Sequence, residues 1–278
     1  MNPAGDLDAT AYSVALCRNA LYGALSLGLH PPTREGLAQL ATPQTRKAIL
    51  EAARCLERDA AGAAEPEKGG GAPASARLTT SARIWGRDLG RLGLEEAIGA
   101  HERLFGHTVR GRVCPYESEY GENALFQQAH QLADLAGFYA AFGLALAEAE
   151  HERADHISCE LEFMEFLARK EAYALEAGDG VMLQGTRRGA RLFLQEHLGR
   201  FGRAFGLSLQ EAAPHGFHAG LGRLLHDFLL LDSRRQGIET GPAGLQLRDP
   251  TEADVPMQCG SACDPTACAP AAPVMKDS

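Results

Sequence analysis

Residues 151–167, His151-Glu-Arg-Ala-Asp155-His156-Ile-Ser-Cys-Glu160-Leu-Glu-Phe-Met-Glu165-Phe-Leu167, decide how this chain reads. They join a polar head to an amphipathic body. Asp155 can accept hydrogen bonds from the free backbone N–H groups of a starting helix, so it is predicted to be an N-cap. Behind it Ile157, Leu161, Met164 and Leu167 recur at helical spacing and mark a buried stripe. Phe163 and Phe166 widen that stripe. Glu160, Glu162 and Glu165 crowd the early turns, where the helix dipole tolerates negative charge. The helix should run over 155–177 and stop before the turn signal Gly178-Asp179-Gly180. The Asp155–His156 pair is then expected at a helix N-terminus, beside a loop, with its chemistry open to a partner.

The period of about 3.6 residues extends outward from this stretch in both directions. Residues 10–29 bring Tyr12, Leu16, Ala20, Leu21, Leu25 and Leu29 near one face, and Pro31-Pro32 end that helix. Residues 43–60 form another, with Pro43 suited to a first turn. Residues 79–91, which contain the single Trp85, and 94–105 give two shorter helices, and 106–121 is a loop rich in glycine and aromatics. Residues 123–148 become apolar all round in their second half, which predicts a helix at the bundle centre. Helices over 181–205 and 208–234 follow, weakened by Gly189 and Gly202 and broken or kinked at Pro214 and Gly216. No segment carries strand alternation with turn chemistry. The expectation is an all-α fold: a single helical bundle over 1–235, interrupted by a flexible linker or loop over 63–77, then an irregular tail over 236–278.

Bulk properties narrow the function. The chain has 278 residues, is 45% hydrophobic and carries a formal net charge of −9. That charge argues against a nucleic-acid backbone as partner and suits a cationic one. The start of the chain lacks a basic region before an apolar run, so no signal peptide is expected. The longest apolar run, Leu135–Ala147, falls short of the roughly 20 residues of a membrane span. Seven cysteines, four of them scattered singly, do not form a secreted disulfide framework. A reduced, cytoplasmic protein is expected. Cys17, Cys55, Cys114 and Cys159 read as small apolar fillers.

The pattern Glu-x-x-Asp-His-Ile-x-x-Glu-Leu-Glu-Phe-Met resembles the signature of the TorD/DmsD family, the cytoplasmic maturation chaperones of molybdoenzymes. Upstream, His101-Glu-Arg-Leu-Phe-Gly106 followed by Cys114-Pro-Tyr-Glu-Ser-Glu-Tyr-Gly121 is similar to a second segment of that family, in the same order and one long helix earlier. The resemblance covers about residues 10–235. It implies a TorD-like bundle and a protein that is not an enzyme. It also implies a function: binding the twin-arginine leader and the apo catalytic subunit of a molybdopterin enzyme, assisting cofactor insertion and delaying export. The leader-peptide site carried over is Asp155, His156, Pro115, Tyr116, Ser118 and Tyr120. A carboxylate can take a guanidinium in a two-pronged hydrogen bond. A groove between helices can take the apolar stretch as helix or strand. The Tyr- and Glu-rich loop looks closest to relatives serving ethylbenzene and dimethylsulfide dehydrogenases. The chain departs from the family in having Ala154 where proline is common and Tyr116 where tryptophan is common. Tyr22 and Leu25 match family positions near the groove but read as core.

Other chemistry has weaker footing. His151-Glu152-x-x-Asp155-His156 nearly spells a zinc-protease motif, but its two histidines would diverge by about 140° around a helix. There is no nucleophile elbow, phosphate loop or dinucleotide fingerprint. The tail segment Cys259-Gly-Ser-Ala-Cys263-Asp-Pro-Thr-Ala-Cys268 groups three thiols that could take zinc, copper or an iron–sulfur cluster. It supports a rival reading as a metal- or cluster-carrying protein, whereas the family reading requires no cofactor.

Overall fold

The computed structural model describes residues 8–63, 77–106, 111–121, 127–145 and 153–249. The fold is all-α. The helices are α1 (Ala9–Leu29), α2 (Arg34–Ala41), α3 (Pro43–Ala63), α4 (Arg77–Leu89), α5 (Leu94–Phe105), α6 (Gln127–Ala141), α7 (Ile157–Ala177), α8 (Gly180–Phe193), α9 (Gly199–Ala212) and α10 (Gly216–Arg235). Among the described residues the only β-type pairings are two isolated bridges, Tyr116–His156 and Tyr120–Leu247. No described helix is long and apolar enough to cross a membrane.

The helix starts follow local chemistry. Asp8 caps α1 by accepting the Ala11 N–H at 3.0 Å, and Asp179 caps α8 by accepting that of Met182 at 2.9 Å. Gly178 closes α7 in the left-handed region at φ 66°, where a side chain would be strained. The bundle is built from α1 lying along α7 and α3, α10 along α9 and α4, and α7 along α8. Trp85, Tyr22, Phe193, Phe201, Phe205 and Phe228 fill the core and are almost wholly buried. Tyr22 and Leu25 are core residues, as expected.

One polar network crosses this core. The Arg18 guanidinium donates from Nε to Asp232 Oδ1 at 2.8 Å, from Nη2 to Oδ2 at 3.1 Å, and from Nη1 to Glu171 Oε2 at 2.8 Å. The Tyr22 hydroxyl donates to Asp232 Oδ2 at 2.7 Å. Arg235 bridges Asp232 to Asp59, and Arg187 reaches Glu171 from α8. Burial alone would raise the Asp232 pKa; the guanidinium groups of Arg18 and Arg235 outweigh it and hold the carboxyl below its ordinary value.

The structure departs from the sequence reading in four places. The helix expected over 123–148 is described only over Gln127–Ala141, and it lies at the periphery: of its described side chains only Leu135 and Tyr139 are buried. Its apolar residues instead dock through rings, with Tyr139 and Phe142 set against Phe163 at 5.0 and 5.6 Å and Phe138 against Phe193 at 5.4 Å. The predicted 181–205 and 208–234 helices are three, α8, α9 and α10. A π turn at Leu194–Leu198 joins α8 to α9, and α9 breaks from α10 at Ala213–His215. Helix α2, capped by Thr33, had no counterpart because a helix this short buries only Leu40. The N-cap of α7 is His156, not Asp155.

Two glycines that weakened the helical reading have packing reasons. A Cβ on Gly189 would meet Phe142 Cζ at 2.5 Å, and one on Gly202 would meet Leu229 Cδ1 at 2.5 Å. Both admit a neighbouring side chain against the helix backbone. Of the fillers, Cys114 and Cys159 are buried, while Cys17 and Cys55 are half-buried and line an open cleft of about 960 Å³ between α1 and α3. Burial, the hydrogen bond to Cys55 and its nearby charge raise the Cys17 thiol pKa to about 12.

Removing Arg18 takes the most buried guanidinium away from Asp232 and Glu171, leaving them Tyr22 and the more exposed Arg235 and Arg187. Arg18→Ala is expected to lower the unfolding free energy by about 3–5 kcal/mol in urea denaturation. Lys47→Ala breaks only the exposed Lys47–Glu51 pair and should change it by less than about 1 kcal/mol.

Candidate functional site: a carboxylate-lined clasp between the loop and α7

The loop over 111–121 is fastened to the entry of α7 by two backbone hydrogen bonds. Glu117 N–H donates to Asp155 O at 2.9 Å and Ile157 N–H to Pro115 O at 2.8 Å. This antiparallel pairing sets the register that brings Tyr116 beside His156, their rings edge to face at 5.3 Å. The next residues form a single 3-10 turn, Glu117–Glu119. That turn points Ser118 at Asp155, whose Oδ2 accepts the Ser118 backbone N–H at 3.2 Å and its hydroxyl at 2.7 Å. Tyr120 closes the loop by donating its hydroxyl to Cys114 O at 2.8 Å. The Tyr139 hydroxyl donates to Ala154 O at 2.8 Å and holds the segment before α7. His156 Nδ1 accepts the Ser158 N–H at 3.2 Å, which makes the imidazole the cap of α7.

All six residues expected for leader binding therefore meet in one place. Asp155 is 0% exposed and His156 7% exposed, while Tyr116 is half-buried. Asp155 is occupied. Arg153 Nε donates to its Oδ1 at 3.0 Å and Nη2 to its Oδ2 at 2.8 Å, a two-pronged pairing. The same guanidinium donates to Ser118 Oγ at 2.8 Å, stacks over the Tyr116 ring at 4.5 Å and lies 3.7 Å from Glu119 Oε1.

The clasp includes residues the sequence reading did not single out. Glu119 is buried and pairs with Arg248 at 3.0 Å, while the Arg248 backbone N–H donates to Glu119 O at 2.8 Å. Residues 236–249 thus run back across the body after α10, and Gly241 N–H donates to Gly199 O. Glu117, also buried, meets His197 Nδ1 at 3.0 Å and Arg200 Nη1 at 3.8 Å. His197 Nε2 faces Asp134 Oδ2 on α6 at 3.2 Å. The π turn carries His197 into this position, since the extra residue of a π turn shifts the register between α8 and α9. A π turn leaves no pattern in hydrophobic periodicity, and nothing in the sequence marked His197 or Arg248.

Glu160, read from its spacing as one of three early-turn acids tolerated by the helix dipole, is fully buried, and neither carboxylate oxygen has a hydrogen-bond partner among the described residues. Burial, then the nearby Glu117 and Asp155 carboxylates, push its pKa well above the ordinary value. Its neutral form is the one the site tolerates.

His151 and Glu152 of the near-zinc motif, residues 64–76 of the expected linker and the thiols Cys259, Cys263 and Cys268 lie outside the described residues.

The geometry is that of an all-α body that grips an arginine side chain between carboxylates and an aromatic ring. Residues 72–206 match the family model described as the nitrate reductase delta subunit. That family is of the TorD/NarJ type, whose members are non-catalytic chaperones of molybdoenzyme catalytic subunits, and the match spans a little under half of the chain. No curated protein matches the chain.

Because Glu160 has a raised folded pKa, its ionisation above the ordinary carboxylate range costs the folded state stability that the unfolded chain does not lose. Glu160→Gln should therefore melt above wild type, by a margin that widens from about pH 5 to about pH 8. A margin that stays constant with pH, read by thermal denaturation across that range, would contradict a neutral Glu160.

Proposed function

We propose that the clasp is the docking place for the twin-arginine leader of a molybdopterin enzyme's catalytic subunit. The chaperone binds leader and apo subunit in the cytoplasm, keeps the subunit open for cofactor insertion and delays its export. Binding is reversible and makes no covalent bond. The observation that carries this reading is the guanidinium already seated in the clasp: Asp155, Ser118 and Tyr116 supply two-pronged acceptors, a further acceptor and a stacking face. These are the contacts a leader arginine needs, and lysine cannot reproduce the fork. Pro115 and His156 contribute by fixing the register, and Tyr120 by closing the loop.

The description of the matched family favours a second reading. In it, the chain serves a nitrate-reductase-type subunit and recognises the mature polypeptide rather than an exported leader. The two readings separate on one titration series. Under the leader reading, a synthetic Arg-Arg leader peptide binds wild type, and its Lys-Lys counterpart binds about tenfold or more weakly, ~1.4 kcal/mol or above. Asp155→Asn weakens the Arg-Arg peptide by a similar factor. Under the second reading neither peptide binds, and a leaderless catalytic subunit does. Failure to bind any of these ligands would overturn both. The cysteine-tail alternative predicts stoichiometric zinc, copper or iron in anaerobically purified protein, lost on Cys263→Ser.

A further inference from the structure

We propose that the clasp is a guanidinium site held by an internal ligand, Arg153, which an incoming arginine must displace. This inference takes the identity of the incoming ligand from the leader-binding reading. The site itself stands on geometry.

Three observations lead to it. First, Arg153 fills the guanidinium-binding groups around Asp155: both Asp155 oxygens at 3.0 and 2.8 Å, Ser118 Oγ at 2.8 Å and the Tyr116 face at 4.5 Å. Second, Arg153 is more exposed than the carboxylates it pairs with. Its side chain is 28% exposed, while the Asp155 and Glu119 side chains it touches are 0% and 2% exposed. Of these three side chains, Arg153 is the one that meets solvent. Third, Arg153 precedes the two-residue turn before α7 and is not itself helical. Its side chain can therefore leave without unwinding a helix.

The exchange also answers an energetic objection to using a buried aspartate for binding. A buried carboxylate without a partner is strongly unfavourable, and Asp155 is 0% exposed. An internal arginine keeps Asp155 paired in the free protein. An arginine entering from outside replaces one guanidinium by another and leaves the local charge unchanged. Lysine brings the charge without the planar fork or the stacking face, so it displaces the occupant poorly. Arginine-over-lysine selectivity then arises from competition within the chaperone as well as from direct contact. The same competition lowers the apparent affinity by the fraction of time the site is open.

The experiment uses the full chain with Arg153→Ala, Arg153→Lys and wild type. Arg153→Ala leaves a guanidinium-shaped vacancy and a bare carboxylate, so it should melt below wild type. Millimolar methylguanidinium chloride should restore its melting temperature, methylammonium chloride should not, and wild type should respond to neither. An Arg-Arg leader peptide, titrated by calorimetry, should bind Arg153→Ala about tenfold tighter than wild type. Arg153→Lys keeps a positive charge beside Asp155 and so guards against loss of folding; as a weaker occupant, it too should bind the peptide more tightly than wild type. No selective rescue by methylguanidinium, or peptide affinity unchanged or reduced in both variants, overturns the proposal. Should no variant bind the peptide while methylguanidinium still rescues Arg153→Ala, the internal-ligand assignment stands and the leader reading is what fails.

Discussion

The two-pronged pairing of Arg18 with Asp232 is the contact on which the arrangement of the bundle depends. A guanidinium and a carboxylate in the middle of a core are tolerable only when each finds nearly all its partners. Here those partners come from α1, α3, α7, α8 and α10. The requirement is geometric: a fork meets a carboxylate in one plane, so α1 and α10 are held at a defined rotation. Apolar packing alone would accept many. With α1 so held, α7 lies along it, and the entry to α7 meets the loop at a fixed distance. Ser26 on α1 also donates to Ser158 O at the first turn of α7, at 3.0 Å.

The same residue types then behave in opposite ways a short distance apart. Asp232 and Glu160 are both fully buried carboxyls. Asp232 faces two guanidinium groups and a phenol, and is held ionised below its usual range. The Glu160 carboxyl faces two carboxylates and has no hydrogen-bond partner among the described residues, and its pKa is pushed above that range. Desolvation pushes both upward, and the neighbours decide the outcome. In the clasp, the buried Asp155 is paired with an arginine only two residues before it. That proximity makes Arg153 a partner of high local concentration, available whenever nothing else fills the site.

The parts of the fold legible in the sequence were those that a single helix specifies alone. The bounds of α1, α4, α5 and α7 follow from apolar spacing and from punctuation such as Pro31-Pro32 and Gly178. The gathering of Asp155 with Pro115, Tyr116, Ser118 and Tyr120 followed from two motifs in order, not from any pattern that periodicity carries. Where the reading failed, a partner element had changed the meaning of a residue. The all-round apolar half of α6 looked central, but its rings reach into the body from outside. Gly189 and Gly202 looked like weaknesses and are clearances for Phe142 and Leu229.

Composition and 3.6-residue spacing thus determined that this chain is helical and where most helices start and stop, because those properties depend on interactions a few residues apart. Only the tertiary structure decided which charges are paired. The spacing of Glu160, Glu162 and Glu165 gave each the same reading, yet Glu160 is entombed and Glu162 is exposed. Arg153 is one basic residue among many until the Tyr116–His156 bridge brings a loop from some 35 positions upstream against it. The physical reason is that burial and charge pairing are set by what lies across space, and a one-dimensional pattern carries no term for it.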